Sequence, residues 1–357
     1  MKLKNFVGVD LFCGSGGVTR GFLDAGIDVR LGVDAELAFK KTYEINNKNN
    51  FISCDVRLLK GIDIIDKIKI KKTQKLIISS CAPCQPFSLK NSKRGQASVD
   101  DDRVDLGFEL IRIIYELSKI GIRPLGIFLE NVPEYAKTQV WAEMRRELFK
   151  LEYSVVYKEV NCADYGVPQN RRRFIAIATS GWKYLGFPPI THGPGLNPPT
   201  TVRQAFNKLP AIDAGSECSK TPNHRARSLT QVNLARIKSV PQDGGSRSSF
   251  PDELVLDCHK SFNGHNDVYG RMKFDEPSPT ITTRCISITN GRYGHPIENR
   301  GISLREAARL QTFPDDFIFY GNSLDSNARM IGNAVPVLVS KIFGTYLVDQ
   351  ISKAIPE

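Results

Sequence analysis

The residue of this chain best placed to do covalent chemistry is a cysteine set between two prolines. Cys84 lies in Ser79-Ser80-Cys81-Ala82-Pro83-Cys84-Gln85-Pro86-Phe87-Ser88, directly after the apolar Leu76-Ile77-Ile78. Pro83 and Pro86 fix φ and bar regular structure, so the thiol is expected in a rigid loop at the end of a buried strand. A thiolate is a strong nucleophile, and a preorganised cysteine near cationic groups can serve as a covalent catalyst. The spacing Cys81-x-x-Cys84 also suits a thioredoxin-like redox pair, or half of a zinc site. The other cysteines, at 13, 54, 162, 218, 258 and 285, are scattered, and the five histidines show no ligand spacing, so no metal is expected.

Other chemically useful residues recur further along. Gly14, Gly16 and Gly17 in Cys13-Gly14-Ser15-Gly16-Gly17 let a backbone approach a ligand closely. A turn of this kind serves dinucleotides, nucleosides and S-adenosylmethionine alike. Asp34 suits a ribose diol, because a carboxylate accepts from both hydroxyls, and Asp55 could accept from an adenine amino group. Both also read as ordinary strand-end caps. Glu130-Asn131-Val132 and Gln169-Asn170-Arg171-Arg172-Arg173 supply an acid and a basic block, although a triple-arginine run by itself is also what a solvated face looks like.

What these residues share is position, since each is expected at a strand's end. Phe6 to Phe12 reads as a buried strand that opens through the glycine turn into a helix towards Ala25; Val29 to Val33 leads to Asp34; Phe51 to Ser53 leads to Asp55. A helical pattern covers Ala35 to Asn46. Leu76 to Ile78, Gly126 to Leu129, Tyr153 to Tyr157 and Arg173 to Ala178 give further strands, with a helix over Leu106 to Lys119. This rhythm predicts an α/β fold with a doubly wound, mostly parallel sheet, and open α/β sheets bind ligands at the carboxyl ends of their strands. From Gly186 the texture changes to Pro, Gly, Ser, Asn and Arg, with only short strand-like pieces such as Thr280 to Thr283, which marks an irregular second lobe. Ser303 with Glu306 reads as a capping box opening a helix to Gln311, and an apolar helix over about Val335 to Ile351 is expected to pack back on the first lobe.

The 357 residues suffice for two lobes, and 49 Lys and Arg against 38 Asp and Glu leave a net charge of +11, which favours a polyanionic partner. No apolar run approaches the roughly 20 residues of a membrane span, and Met1-Lys2-Leu3-Lys4-Asn5 leads straight into a strand. A soluble protein of a reducing, cytoplasmic compartment is expected, with no membrane partner.

In order, Asp10-Leu11-Phe12-Cys13-Gly14-Ser15-Gly16-Gly17, Pro83-Cys84-Gln85-Pro86-Phe87-Ser88, Glu130-Asn131-Val132, Gln169-Asn170-Arg171-Arg172-Arg173 and Gly332-Asn333-Ala334-Val335-Pro336 resemble the DNA (cytosine-5)-methyltransferase family, of the bacterial restriction-modification or solitary type. The resemblance spans nearly the whole chain, and five blocks in sequence make it specific. It implies the S-adenosylmethionine-dependent methyltransferase fold and methyl transfer to carbon 5 of a cytosine flipped out of duplex DNA. Cys84 would be the nucleophile, Glu130 the acid at ring nitrogen 3, and Arg171 and Arg173 the alternating arginines, with Arg172 facing away. Cofactor contacts would be Phe12, Gly14, Gly16, Asp34, Asp55, Pro83 and Asn333, the product being S-adenosylhomocysteine. Ser88 to Asp105, with Lys90, Lys93, Arg94 and Arg103, resembles the family's mobile active-site loop.

On this reading residues 1–184 plus 301–357 form the catalytic and cofactor-binding domain, and residues 185–300 a smaller target-recognition domain. DNA-contact candidates are Ser88, Arg103, Arg225, Arg227, Arg236, Arg247 and Arg271. A monomer on DNA near the nucleoid is expected, with a cognate restriction endonuclease as a separate protein. Two departures from the family pattern are Val337, where many relatives have a second proline, and Ala35, where some place an aromatic over the adenine. The rivals are a tRNA cytosine-5 methyltransferase, a catalytically silent DNA-binding regulator and a nicotinamide-dependent oxidoreductase; the last leaves Cys84, Glu130 and the arginine block unexplained.

Overall fold

A computed structural model describes residues 5–83, 104–181, 185–257 and 267–354. The chain divides into two compact units: Met1–Asn161 with Arg172–Ile190 and Val337–Glu357, and Cys162–Arg171 with Thr191–Pro336. Strands β1 (Phe6–Leu11), β2 (Asp28–Asp34), β3 (Asn50–Ser53), β4 (Lys75–Ser80), β5 (Gly126–Asn131), β6 (Tyr153–Asn161) and β7 (Arg172–Ser180) form the sheet of the first unit, in the order β3-β2-β1-β4-β5-β7-β6. Helices α1 (Gly17–Asp24), α2 (Lys40–Asn47), α3 (Gly61–Ile68), α4 (Phe108–Lys119) and α5 (Gln139–Lys150) belong to that unit. Helices α6 (Val202–Phe206), α7 (Gln231–Ser239), α8 (Leu304–Leu310) and α9 (Leu324–Asn333) belong to the second, and α10 (Val337–Ala354) returns to the first.

β1 to β5 run parallel, whereas β7 lies antiparallel to both β5 and β6. The cause is the connection: residues 162–171 between β6 and β7 are too few for a crossover helix, so the chain must double back. Alternation sorts each strand into two faces. Val7, Val9 and Leu11 of β1, Leu76 and Ile78 of β4, Ile127 and Leu129 of β5 and Phe174 of β7 join Ile64, Leu110, Ile114, Met144 and Leu148 of α3, α4 and α5 in one core. On the other face Phe128 sits 5.9 Å, centroid to centroid, from both Phe22 of α1 and Phe343 of α10. With both faces covered, the strands read as apolar runs rather than as alternating ones. The α1–α10 contact is close because position 21 carries no side chain: a Cβ on Gly21 would lie 2.5 Å from the Val337 carbonyl oxygen. The apolar stretch Leu324–Lys353 is long enough to cross a membrane, but Pro336 divides it into α9 and α10, and Val339, Phe343 and Leu347 are buried.

The second unit has a polar core. Arg300 binds Glu306 through two hydrogen bonds of 2.8 and 2.7 Å, with both side chains about 1% exposed, and Arg305 donates to the carbonyls of Pro222, Pro314 and Phe317. Ser303 caps α8, with Glu306 completing a capping box. Thr280 to Thr283, expected as strand-like, carries no strand; in this unit only isolated bridges occur among the described residues. The segment is held by side chains instead, for the Ile281 N–H donates 2.8 Å to Gln169 Oε1. Residues 301–336, placed with the catalytic domain from sequence, cluster in the second unit because α8 and α9 are tied to it by Arg300 and by Arg171.

Candidate active site

Register brings the strand-end residues of the first unit to one edge. Leu11 pairs with Val33 on one side and Ser80 on the other, Asp34 pairs with Ser53, and Ser80 with Leu129. The carboxyl ends of β1 to β5 are therefore level. Phe12, Gly14, Gly16, Asp34, Asp55, Pro83 and Glu130 all lie on or just beyond that edge.

The turn after β1 is shaped by backbone constraints. Phe12 has φ 58°, in the left-handed region that a bulky side chain seldom occupies, and such strain concentrates at functional sites. The Gly14 backbone N–H donates 2.9 Å to Asp34 Oδ2, while the Glu36 N–H donates 2.9 Å to Asp34 Oδ1. Asp34 is thus fixed against the turn. Gly14 has φ 52°, and a Cβ there would meet no atom of the described residues within 4 Å. Gly16, at φ 97°, is backed instead by Asn47, whose Nδ2 would lie 2.3 Å from an added Cβ.

Asp55 has a partner that sequence reasoning missed. Its carboxylate accepts from Arg57 Nε at 3.0 and 3.1 Å, Arg57 Nη2 at 2.6 Å and the Arg57 N–H at 3.0 Å. The Arg57 side chain, then its N–H, hold the carboxyl below its ordinary pKa. The i, i+2 spacing Asp55-Val56-Arg57 was the available signal.

Beyond β4 the chain is pinned by β5: Asn131 Nδ2 donates 3.2 Å to the Ala82 carbonyl, and Asn131 Oδ1 accepts from the Val132 N–H at 2.8 Å. Asn131 was visible as the centre of Glu130-Asn131-Val132 but carried no assigned role. Cys84, Ser88, Lys90, Lys93, Arg94 and Arg103 lie outside the described residues. Burial first, and then the neighbouring Glu130 and Asp10 carboxylates, push the Cys81 thiol well above its ordinary pKa, which makes it a poor attacking thiol for a redox pair.

Glu130 is the acid of this edge. Opposite it on β7 stands Ile175, and Arg173, two residues away on the same face, reaches across with Nε 2.9 Å from Glu130 Oε1. The side chains are only 17% and 10% exposed. The contact is an ion pair without hydrogen-bond alignment, and among the described residues Oε1 has no hydrogen-bond donor, so it can accept from an incoming ligand. Arg172 points the other way, exposed and paired with Glu159 at 2.9 Å.

Arg171 belongs to the second unit, where it is 2% exposed. It donates 3.0 Å to the Ile281 carbonyl and 3.2 Å to that of Ala334. Gln169 donates to Leu310 O and Gln311 Oε1, and Gln311 in turn to Ile331 O and Ala334 O. This buried network holds the turn that ends α9, on which Asn333 is exposed.

The first unit thus carries a level strand edge, a strained aromatic, a glycine turn and a buried Glu–Arg pair. Residues 6–348 match the family described as C-5 cytosine-specific DNA methylase. The chain belongs to that family. It is 38% identical over 345 residues to the Type II methylase M.HgiDII of Herpetosiphon aurantiacus, covering 94% of this chain and 92% of the relative. It is 31% identical over 337 residues to the Type II methyltransferase M1.HphI of Haemophilus parahaemolyticus, covering 93% and 84%. Its fold resembles a solved DNA modification methyltransferase encoded in an E. coli prophage, with TM-score 0.69 and 24% identity over 97% of this chain and 99% of the other. S. pombe Dnmt2 methyltransferase is similar in fold, with TM-score 0.61 at 16% identity over 98% of each chain. The protein is a C5-cytosine DNA methyltransferase with the α/β methyltransferase fold.

The second unit of this methyltransferase sorts its arginines by burial. Arg225 is exposed, 3.9 Å from Glu217; Arg227 pairs with Asp325; Arg247 opens a short 3-10 turn over Arg247–Ser249. Arg236 stacks 5.5 Å over the Tyr269 ring and donates 2.9 Å to the Leu254 carbonyl, so part of its guanidinium is committed to the fold. Arg271 corrects the sequence expectation of a DNA contact. It is 1% exposed and donates to the carbonyls of Val240, His295, Glu298 and Ile237 and to Asn299 Oδ1, which leaves no face for a phosphate or a base.

Proposed function

We propose that this enzyme transfers a methyl group from S-adenosylmethionine to carbon 5 of a cytosine flipped out of a specific duplex DNA sequence, with Cys84 adding covalently to carbon 6. The observation that carries the reading is Glu130, nine-tenths buried beside Arg173, with an oxygen open to a further donor and a position one strand from the segment leading to Cys84. Carbon 5 of an aromatic cytosine is a weak nucleophile. Attack of the Cys84 thiolate on carbon 6 drives electron density to nitrogen 3 and the carbonyl oxygen, where a positioned acid and a cation lower the barrier. Glu130 would protonate nitrogen 3, and Arg173, already oriented by Glu130, would donate to the base oxygen and favour the Cys84 thiolate. Carbon 5 then takes the methyl group, a solvent base accepts the carbon 5 proton as the Cys84 thiolate leaves carbon 6, and nitrogen 3 returns its proton to Glu130, which restores the aromatic ring. Arg171 acts on this reading as a positioning residue for the Asn333 turn rather than as a base contact.

When bound, S-adenosylmethionine supplies an electrophilic methyl group and leaves as S-adenosylhomocysteine. The residues present fit it: open space over Gly14 among the described residues, the Asp34 carboxylate held against the same turn, and a half-buried Phe12 ring beside them. Phe12 would stack on the adenine, the Gly14 and Gly16 backbone would pass beside the ligand, Asp34 would hold the ribose and Asp55 the adenine amino group. Pro83 would lie beside the sulfonium and Asn333 near the methionine part.

Flipping the target out of the stack costs a few kcal/mol, recovered through pocket contacts and closure of a loop carrying Ser88 and Arg103. Residues 1–184 with 301–357 would supply catalysis and cofactor binding, and residues 185–300 target recognition, with Arg225, Arg227 and Arg247 as the arginines that would meet DNA. The Type II names of the relatives support a modification enzyme with a separate cognate restriction endonuclease; it would act as a monomer on DNA in the cytoplasm. The test is transfer of radiolabelled methyl from S-adenosylmethionine to unmethylated bacterial DNA, with nucleoside analysis and with tRNA as the alternative substrate. 5-Methylcytosine should form in DNA with the native enzyme and not with Cys84→Ser, which should still bind DNA and cofactor; turnover by the serine variant would refute the mechanism.

A further inference from the structure

A second carboxylate lies beneath the same edge, and the reaction above does not use it. Asp10, on β1, is 1% exposed. Its Oδ2 accepts from the Thr19 N–H at 3.1 Å and from Thr19 Oγ1 at 2.7 Å, and its Oδ1 accepts from Ser79 Oγ at 2.7 Å. The Tyr43 hydroxyl of α2 lies 3.0 Å from Thr19 Oγ1 and extends the chain of hydrogen bonds. Thr19 stands in the first turn of α1, directly after the glycine turn, while Ser79 is the β4 residue in register with Asp10 and lies just before Cys81-Ala82-Pro83. We infer that Asp10 is a positioning residue that yokes the cofactor turn to the strand delivering Cys84, so that each loop is held in place by the other through one buried carboxylate. The inference rests on the function proposed above.

Three observations favour a yoke over a simple buried cap. A cap needs only the two bonds from Thr19, yet the second oxygen is aimed at another strand. Burial pushes the Asp10 pKa up to about 6 against the opposing pull of Thr19 and Ser79, so at neutral pH the group remains mainly an ionised acceptor, and hydrogen bonds to a charged acceptor are the strong kind. The groups facing it stay neutral or keep their distance: Cys13 of the turn and Tyr43 of α2 are held protonated, chiefly by burial, and Asp34 of β2 is already engaged by Gly14 and Glu36. Cys81 of β4 is likewise held as a thiol, chiefly by burial.

The test removes each bond at the end away from the property measured. Ser79→Ala severs the β4 bond without touching the turn, and Thr19→Val removes the hydroxyl bond without touching β4. Cofactor affinity is read by calorimetry with S-adenosylhomocysteine, and chemistry by single-turnover methyl transfer to DNA at saturating cofactor. A yoke predicts that Ser79→Ala weakens S-adenosylhomocysteine about tenfold, that Thr19→Val slows methyl transfer about tenfold, and that the double variant is little worse than either, the size and non-additivity expected of two coupled sites. Both variants should keep a cooperative melting transition. Effects confined to the mutated side, or a double variant equal to the product of the single ones, would overturn the yoke. If the native enzyme transfers no methyl group to DNA, the proposed function fails, and the effect of Ser79→Ala on S-adenosylhomocysteine affinity alone still decides the inference.

Discussion

Replacing Glu130 by Gln isolates the acid from its shape. The substitution keeps volume and an acceptor for Arg173, whose Nε lies 2.9 Å from Oε1, but replaces an ionisable carboxyl by an amide that cannot pass a proton to nitrogen 3. A positioned general acid contributes about 10²- to 10⁴-fold, which is about 3 to 5 kcal/mol of barrier. The stability cost should be smaller. The pair is mostly buried but not hydrogen-bonded, so loss of one charge should cost less than the ~1.5–3 kcal/mol of a charge-assisted hydrogen bond, and Gln still offers an oxygen to the guanidinium. Arg173→Ala is the harsher change, because it strands a buried carboxylate, at about 3–5 kcal/mol. Single-turnover methyl transfer to DNA, run well below the melting temperature, should therefore show a loss of at least about a hundredfold for Glu130→Gln. In the same series, thermal unfolding should rank Arg173→Ala as the less stable variant. S-adenosylhomocysteine affinity should stay within about twofold of native, since Glu130 belongs to the base pocket rather than to the glycine turn. Retention of more than about a tenth of the native rate by Glu130→Gln would refute the assignment of the acid.

Arg271→Met should cost the fold at least about 3 kcal/mol in chemical denaturation, because several buried carbonyls lose their donor, and Lys cannot replace the planar fork; a salt-dependent loss of DNA affinity at unchanged stability would contradict the structural role. Glu306 is fully buried, and although burial alone would raise its pKa, the Arg300 guanidinium holds it below the ordinary carboxylate value. Its contribution to stability is therefore complete above the unfolded pKa of about 4.3 and is lost as pH falls through the lower folded value; Glu306→Gln should flatten the acid limb of a stability–pH curve, and an unchanged limb would exclude this linkage. Gly14→Ala and Gly16→Ala should separate: the first projects a methyl group into open space and should reduce cofactor affinity with a strain of about 1 kcal/mol, whereas the second meets Asn47 and should lower the melting temperature as well. Equal melting temperatures for the two would count against the packing described at Gly16.

Much of the catalytic edge was legible because it is made of local signals. Apolar runs followed by Gly, Asp, Pro-Cys or Glu mark strands and what they deliver, and a parallel sheet aligns those deliveries whatever the detailed packing. The capping box at Ser303 and Glu306 and the outward face of Arg172 were equally local. The orientation of β7 was not, since it depends on the chain doubling back through residues 162–171 after β6. The roles of the arginines were least legible. Arg171, Arg173, Arg236 and Arg271 carry the same fork of donors, and only the groups that fold around each one determine whether it meets backbone carbonyls, a carboxylate or an aromatic ring. The sequence by itself determined the fold class, the family and the order of the chemical groups along the sheet edge, because strand periodicity and strand-end residue types are properties of neighbours in the chain. Tertiary structure alone decided that Arg173 rather than Arg171 would stand at Glu130 and that Asp10 would span from α1 to β4, because each of these contacts joins partners whose proximity is set by sheet register and burial rather than by spacing.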